Sequence, residues 1–204
     1  MPIDLDTVAE ARLVAQALSG SQAAVEQIVR RYQRPVIRLI ARMTGDPALA
    51  EDLAQETFVK AFRNLAAFDT TRRLSSWLFR IAHNTALDTL RRVRPHVVAL
   101  DLTAADGRHD PPAAASPDPV EQQALGAAID AALARIRPDY RSAVTLRYEE
   151  GMSFEEIGRI LGVPPATARS HVHRARKELL HHLTEAGWQP ASRLQRPEPS
   201  PRKP

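Results

Sequence analysis

Residues 153–180 read "SFEEIGRILGVPPATARSHVHRARKELL". Ser153 followed three residues later by Glu156 is a capping box, so a short helix starts at Phe154. Ile157, Ile160 and Leu161 form its inner face, and Gly158 leaves room for a second helix to approach closely. Gly162 suits the left-handed conformation that ends a helix, while Pro164 and Pro165 stop continuation and open the next helix. Helix, tight glycine turn, helix is the helix-turn-helix pattern. In the second helix, at about 100° per residue, Ala168, Val172, Ala175 and Leu179 share one stripe. Ser170, His173, Arg174 and Lys177 lie opposite, flanked by Thr167, Arg169, His171 and Arg176. Major-groove reading requires such a donor-rich face. The N-terminal members Thr167, Arg169, Ser170, His171 and Arg174 are placed to reach base edges, and Arg176 and Lys177 to lie over phosphates. The bland alternative is a solvated amphipathic helix in an αα-hairpin.

Upstream, the sequence is also helical in period. Ala24, Val25, Ile28, Val29, Tyr32, Val36, Leu39 and Ile40 mark one helix, with a kink expected at Pro35. Asp46 as N-cap and Pro47 at the first helical position open the next, whose stripe runs Ala50, Leu53, Ala54, Phe58, Ala61, Phe62, Leu65. Within its "EDLAQETFVKAF" (51–62), Asp52, Gln55 and Glu56 are spaced i, i+3, i+4 on one side. Three acceptor-rich groups there can meet a basic protein surface, hold a divalent cation as in a nuclease, or simply face water. No second acidic cluster lies nearby to complete a hard-oxygen shell. In "SSWLFRIAHNTALDTLRR" (75–92), Ser75 or Ser76 is the expected cap, and Arg80, Asn84, Asp88, Arg91 and Arg92 fall near one side. An asparagine flanked by arginines can read a base edge or a backbone, and Trp77 either stacks on a base or belongs to the core.

Composition narrows the classes. The chain has 204 residues and no cysteine, which excludes disulfides and thiolate metal sites and fits a reducing cytoplasm. No run reaches the roughly eighteen apolar residues of a membrane span, and the acidic "MPIDLDTVAEAR" lacks the order of a signal peptide. The formal charge is +4 and the pI about 9.9. Its distribution matters more than its sum: from Asp69 to Arg94 six arginines face two acids, and from Pro165 to Leu183 four cations face Glu178 alone. Two separated basic faces fit two contacts with a polyanion. His171, His173, His181 and His182 invite a zinc reading, but residues two apart on a helix diverge and no acid or cysteine is seen to complete a set. No nucleophile–base pair and no phosphate-cradling glycine loop is present, so neither an enzyme nor a cofactor is expected.

The stretch 95–119 holds five prolines and no sustained period, and reads as a flexible linker. The tail 184–204 is proline-rich and basic and reads as disordered. The expectation is an all-α chain of two small helical domains, 6–94 and 120–183, joined by that linker.

Together these pieces resemble bacterial RNA polymerase sigma factors of the small extracytoplasmic-function (ECF) group. The resemblance covers about residues 18–94 and 121–183. "DPALAEDLAQETFVKAFRNLAAFD" (46–69) is similar to the helix that docks on the polymerase clamp, which implies contact by Asp52, Gln55 and Glu56. "RRLSSWLFRIAHNTALDTLRR" (72–92) is similar to the segment that melts and reads the −10 promoter element. That implies a base-capturing loop from Phe68 to Ser75, including Arg72 and Arg73, next to Trp77, and a reading asparagine at Asn84. "YRSAVTLRYEEGMSFEEIGRILGVPPATARSHVHRARKELL" (140–180) is similar to the module for the −35 element and the polymerase flap. Two departures stand out. Ala166-Thr167-Ala168 replaces the family's Gly-Thr-Val, and His171 replaces a fixed cation. The implied partners are core RNA polymerase, promoter DNA and an anti-sigma factor, and the implied compartment is the cytoplasm. A DNA-binding regulator that never touches polymerase and a nuclease using Glu51, Asp52 and Glu56 are the alternatives.

Overall fold

The computed structural model describes residues 5–93 and 119–188. They form eight α-helices, with no strand among the described residues: α1 (Leu5–Leu18), α2 (Gln22–Thr44), α3 (Pro47–Arg63), α4 (Leu74–Val93), α5 (Pro119–Arg135), α6 (Pro138–Tyr148), α7 (Phe154–Leu161) and α8 (Pro165–Glu185). The linker read at 95–119 lies outside the described residues except for Pro119, which opens α5. Of the tail, α8 takes in Thr184 and Glu185, and residues 189–204 lie outside the described residues.

Helix ends follow local chemistry. Ser21 and Asp46 cap α2 and α3 through their side chains, and Gly45, at φ 73°, closes α2 in the left-handed region. α2 is one continuous helix through Pro35. The serines expected to cap α4 do not. The helix starts earlier, at Leu74, so Ser75 and Ser76 lie inside its first turn. The Leu74 N–H instead donates to Glu10 Oε2 on α1, at 2.7 Å.

Helices α1–α4 form an N-terminal unit around Ile28, Val36, Leu39, Leu53, Phe58, Leu78 and Phe79, and α5–α8 a C-terminal unit. The two units pack on each other, α4 against α7 and α2 against α6 and α5. One buried cluster runs through both, joining Leu39 and Phe79 to Leu146, Ile157, Ile160 and Val172. Arg141, 6% exposed, bridges the units through backbone carbonyls. Its Nη1 donates to the Arg42 and Met43 carbonyls at 2.8 and 2.9 Å, and its Nη2 to those of Ala134 and Ile136 at 2.9 and 2.7 Å. Around this plug, Arg38 pairs with Glu149 and Glu150, and Arg42 with Glu149 and Asp130.

Beside the same interface, His83 on α4 meets Ser142 on α6 at 3.2 Å. The Ser142 hydroxyl already donates to the Pro138 carbonyl, so His83 donates through Nδ1–H. Burial, helped by Arg91 and opposed by Asp139, lowers the imidazole pKa to about 4. This lies below its unfolded value of about 6.5, so the packed state is fully favoured above that pH and loses stability as pH falls towards 4. Between pH 7 and 5 the wild type is expected to lose about 2 kcal/mol more than a His83→Gln variant, measured by urea unfolding.

Candidate promoter and polymerase interface

The helix-turn-helix is built as the sequence indicates. Ser153 Oγ accepts from the Glu156 N–H at 3.2 Å, and the Glu156 carboxylate accepts from the Ser153 N–H at 2.9 Å. Gly162 ends α7 at φ 70°. Gly158 lies against the turn: a Cβ there would come within 2.7 Å of the Val163 carbonyl oxygen. Ala168, Val172 and Ala175 of α8 are buried as expected.

The outward face of α8 is less uniform than its angular pattern. Arg169, His173 and Lys177 are exposed, whereas Thr167, Ser170 and Arg176 are partly covered. Arg169 stacks on the Phe154 ring at 5.1 Å. His171 and Arg174 are held by the chain's own Tyr140. The His171 ring packs against the Tyr140 ring at 4.9 Å, and Arg174 Nη1 donates to the Tyr140 hydroxyl at 2.8 Å. Burial lowers the His171 pKa, with Arg174 and Arg137 adding to it against Asp139, so the imidazole is neutral near pH 7. Tyr140 comes from α6, where nothing in the pattern of α8 points to it.

On α3, Asp52, Gln55 and Glu56 are all exposed on one face, as their spacing implied. Glu56 pairs with Lys60 at 2.7 Å, and Lys60 reaches Thr85 on α4 at 3.1 Å, so this face is braced against the next helix. Along α4, Arg80, Asn84, Asp88, Arg91 and Arg92 are exposed together. Phe68 and Trp77 pack at 5.3 Å as one wall of a recess of about 220 Å³, completed by Asp69, Arg72, Arg73 and Arg80. Phe68 itself is buried and Trp77 partly open, while Ser75 is half-buried in the first turn of α4. Asp69 shapes the loop by accepting from Thr71 and Arg72, and those hydrogen bonds lower its pKa.

One lining residue was not foreseen. Arg159, from α7 of the other unit, reaches the same recess. Its neighbour Glu156 pairs with Arg73 at 3.7 Å and meets Ser76. Burial works to raise the Glu156 pKa, but Ser153, Arg73 and Arg159 outweigh it and hold the carboxyl below its usual range. The sequence marked Glu156 only as a capping residue.

The histidines also differ from expectation. Glu185 does stand beside His181 and His182, with ligand atoms within 4.8 Å of one another. Arg135 pairs with that carboxylate at 3.0 Å, so the cluster is already charge-balanced.

Sigma-70 region 2 matches residues 28–95, and sigma-70 region 4 matches residues 126–179. The chain is 31% identical over 178 residues to the ECF RNA polymerase sigma factor SigW of Bacillus subtilis (strain 168), which covers 84% of this chain and 95% of SigW. This chain belongs to the ECF sigma factors. In structure it is similar to CnrH in complex with the cytosolic domain of CnrY, with a TM-score of 0.65 and 26% identity over 91% of this chain and 100% of that one. It is also similar to the sigma factor RpoE bound to the anti-sigma factor NepR from Bartonella quintana, with a TM-score of 0.60 and 25% identity over 78% of this chain and 96% of RpoE. As a sigma factor it binds core RNA polymerase and directs promoter-specific transcription initiation.

The close approach at Gly158 yields a direct expectation for this sigma factor. Gly158→Ala gains about 1 kcal/mol of helix propensity but forces two backbone segments apart, which costs about 1–3 kcal/mol. A net destabilisation of up to about 2 kcal/mol by thermal unfolding, with weaker binding to −35 duplex, is the expected result.

Proposed function

We propose that this sigma factor grips core polymerase through Asp52, Gln55 and Glu56 and takes one unstacked base of the −10 element into the Phe68–Trp77 recess. Arg80, Asn84, Asp88, Arg91 and Arg92 then track the strand along α4, while the N-terminal half of α8 reads the −35 duplex in the major groove. Unstacking a base costs a few kcal/mol, which the recess and its arginines offset. The chain itself supplies recognition and no bond-making step, and it works in the cytoplasm. An anti-sigma partner, like the one bound to RpoE, is expected to hold it inactive. The observation that carries this reading is the combination in one chain of an exposed acidic face, a cationic aromatic recess and a helix-turn-helix.

In this reading the packed units must part. The −10 and −35 elements are about 25 base pairs apart, or about 85 Å of duplex. In the packed form α4 touches α7, and Arg159 occupies the edge of the recess. Residues 94–118 reach about 85 Å when extended, enough for both units to engage one promoter, and each contact then raises the effective concentration of the other.

Two measurements test this. Charge reversal at Asp52 and Glu56 should weaken core binding at least about tenfold, the loss of contacts worth about 1.4 kcal/mol or more, with −35 duplex binding unchanged. A regulator that ignores polymerase would show no such loss. The chain has no native cysteine, so Arg38→Cys with Glu149→Cys can be joined by a reducible bis-thiosulfonate linker across the α2–α6 contact. Linked protein should lose promoter-specific transcription, and reductant should restore it. Full activity while linked would reject the opening step.

A further inference from the structure

Glu10 is buried, 3% exposed, on a helix that precedes the region-2 match. A buried carboxylate is costly unless its charge is answered. Here three groups answer it. Oε2 accepts from the Leu74 N–H at 2.7 Å, Oε1 accepts from the Tyr32 hydroxyl on α2, and the Arg31 guanidinium lies 3.7 Å from Oε1. The Leu74 N–H belongs to the first turn of α4, where backbone donors have no intrahelical partner and the helix dipole favours negative charge. So a residue 64 positions upstream supplies the cap that neither Ser75 nor Ser76 provides.

The place it caps is what gives this a consequence. Leu74 ends the loop that starts at Phe68, and Trp77 follows one turn later on α4. The Asp69 turn fixes one end of that loop through Thr71 and Arg72. Glu10 fixes the other. Without the carboxylate, the first turn of α4 is free to fray or rotate, and Trp77, Ser76 and Arg73 would shift relative to Phe68. We propose that Glu10 is a positioning residue for −10 base capture: through the Leu74 N–H it holds the loop and the first turn of α4 in the geometry that admits a base. The proposal rests on the base-capture reading above.

A carboxylate that merely fastened α1 to α2 would serve folding alone. Tyr32 separates the two roles, because Tyr32→Phe removes one partner of Glu10 and leaves the Leu74 contact in place. The experiment uses holoenzyme formed with core polymerase and promoter DNA carrying 2-aminopurine at successive −10 positions, so that capture appears as a rise in fluorescence. Glu10→Ala is expected to lower that rise, and the discrimination between intact and altered −10 elements, by about tenfold, the equivalent of one strong cap. Core binding and −35 duplex binding should stay within about twofold of wild type. Tyr32→Phe is expected to lower the melting temperature but keep capture within about twofold. Should Glu10→Ala not fold, Glu10→Gln keeps the shape and an acceptor but loses the charge at the helix end, and about a threefold fall is expected. Wild-type capture in whichever Glu10 variant folds overturns the proposal. So does a loss in Tyr32→Phe that equals the Glu10 loss at matched stability. If wild-type holoenzyme gives no fluorescence rise at any position, it is the base-capture reading that fails.

Discussion

A single guanidinium, that of Arg141, fixes how the two halves of this sigma factor meet. The last carbonyls of a helix have no intrahelical donor and carry the negative end of its dipole. Arg141 brings four donors to such carbonyls, two near the end of α2 and two near the end of α5. An arginine suits this role because its fork is rigid and permanently charged, so several hydrogen bonds cost little side-chain freedom. The two helix ends supply compensating negative charge to the guanidinium. The ion pairs of Arg38 and Arg42 around it are partly exposed and screened, and each contributes little by comparison. Direction and burial come from Arg141, His83 and the shared apolar cluster.

This packing has a functional cost built into its geometry. The face of α7 that contacts α4 carries Glu156 and Arg159, and both address the recess proposed for the −10 base. The acidic face of α3 and the outer row of α4 remain open. On the site assignments proposed above, polymerase would meet the packed chain on α3 before the units separate, whereas promoter DNA would span both proposed readers only after they do. On those assignments the order of assembly is core first, DNA second.

How much of this could be read from the sequence depends on distance along the chain. The capping box of Ser153 and Glu156, the left-handed Gly162 and the buried stripe of α8 were all legible, because each rests on groups within four residues of one another. The i, i+3, i+4 face of Asp52, Gln55 and Glu56 was legible for the same reason. Glu10 was not, because the donor it satisfies is 64 residues away and an acid in an N-terminal helix looks solvated. The placement of Ser75 and Ser76 inside α4 follows from that same unseen cap. Arg141 and Arg159 looked like ordinary cations on helical segments, and only the meeting of α2 with α6 and of α4 with α7 gives them their partners.

Tyr140 shows why an angular pattern alone overstates the reading face of α8. His171 and Arg174 point outward on a wheel, yet the ring of Tyr140 lies beside both and its hydroxyl accepts from Arg174. An arginine held by a phenol hydroxyl is fixed in position without losing its charge, so fewer rotamers would be given up in the DNA contact proposed for it. His171 differs. Half-buried against the ring and neutral, it adds shape and no cation where the family usually has one. Fixed charge at the tip of α8 then falls to Arg169, and Arg169 is stacked on Phe154 of the preceding helix. The aromatic residues of α6 and α7 thus set the positions of the arginines that α8 presents, which makes them the reason this helix offers few, well-placed donors.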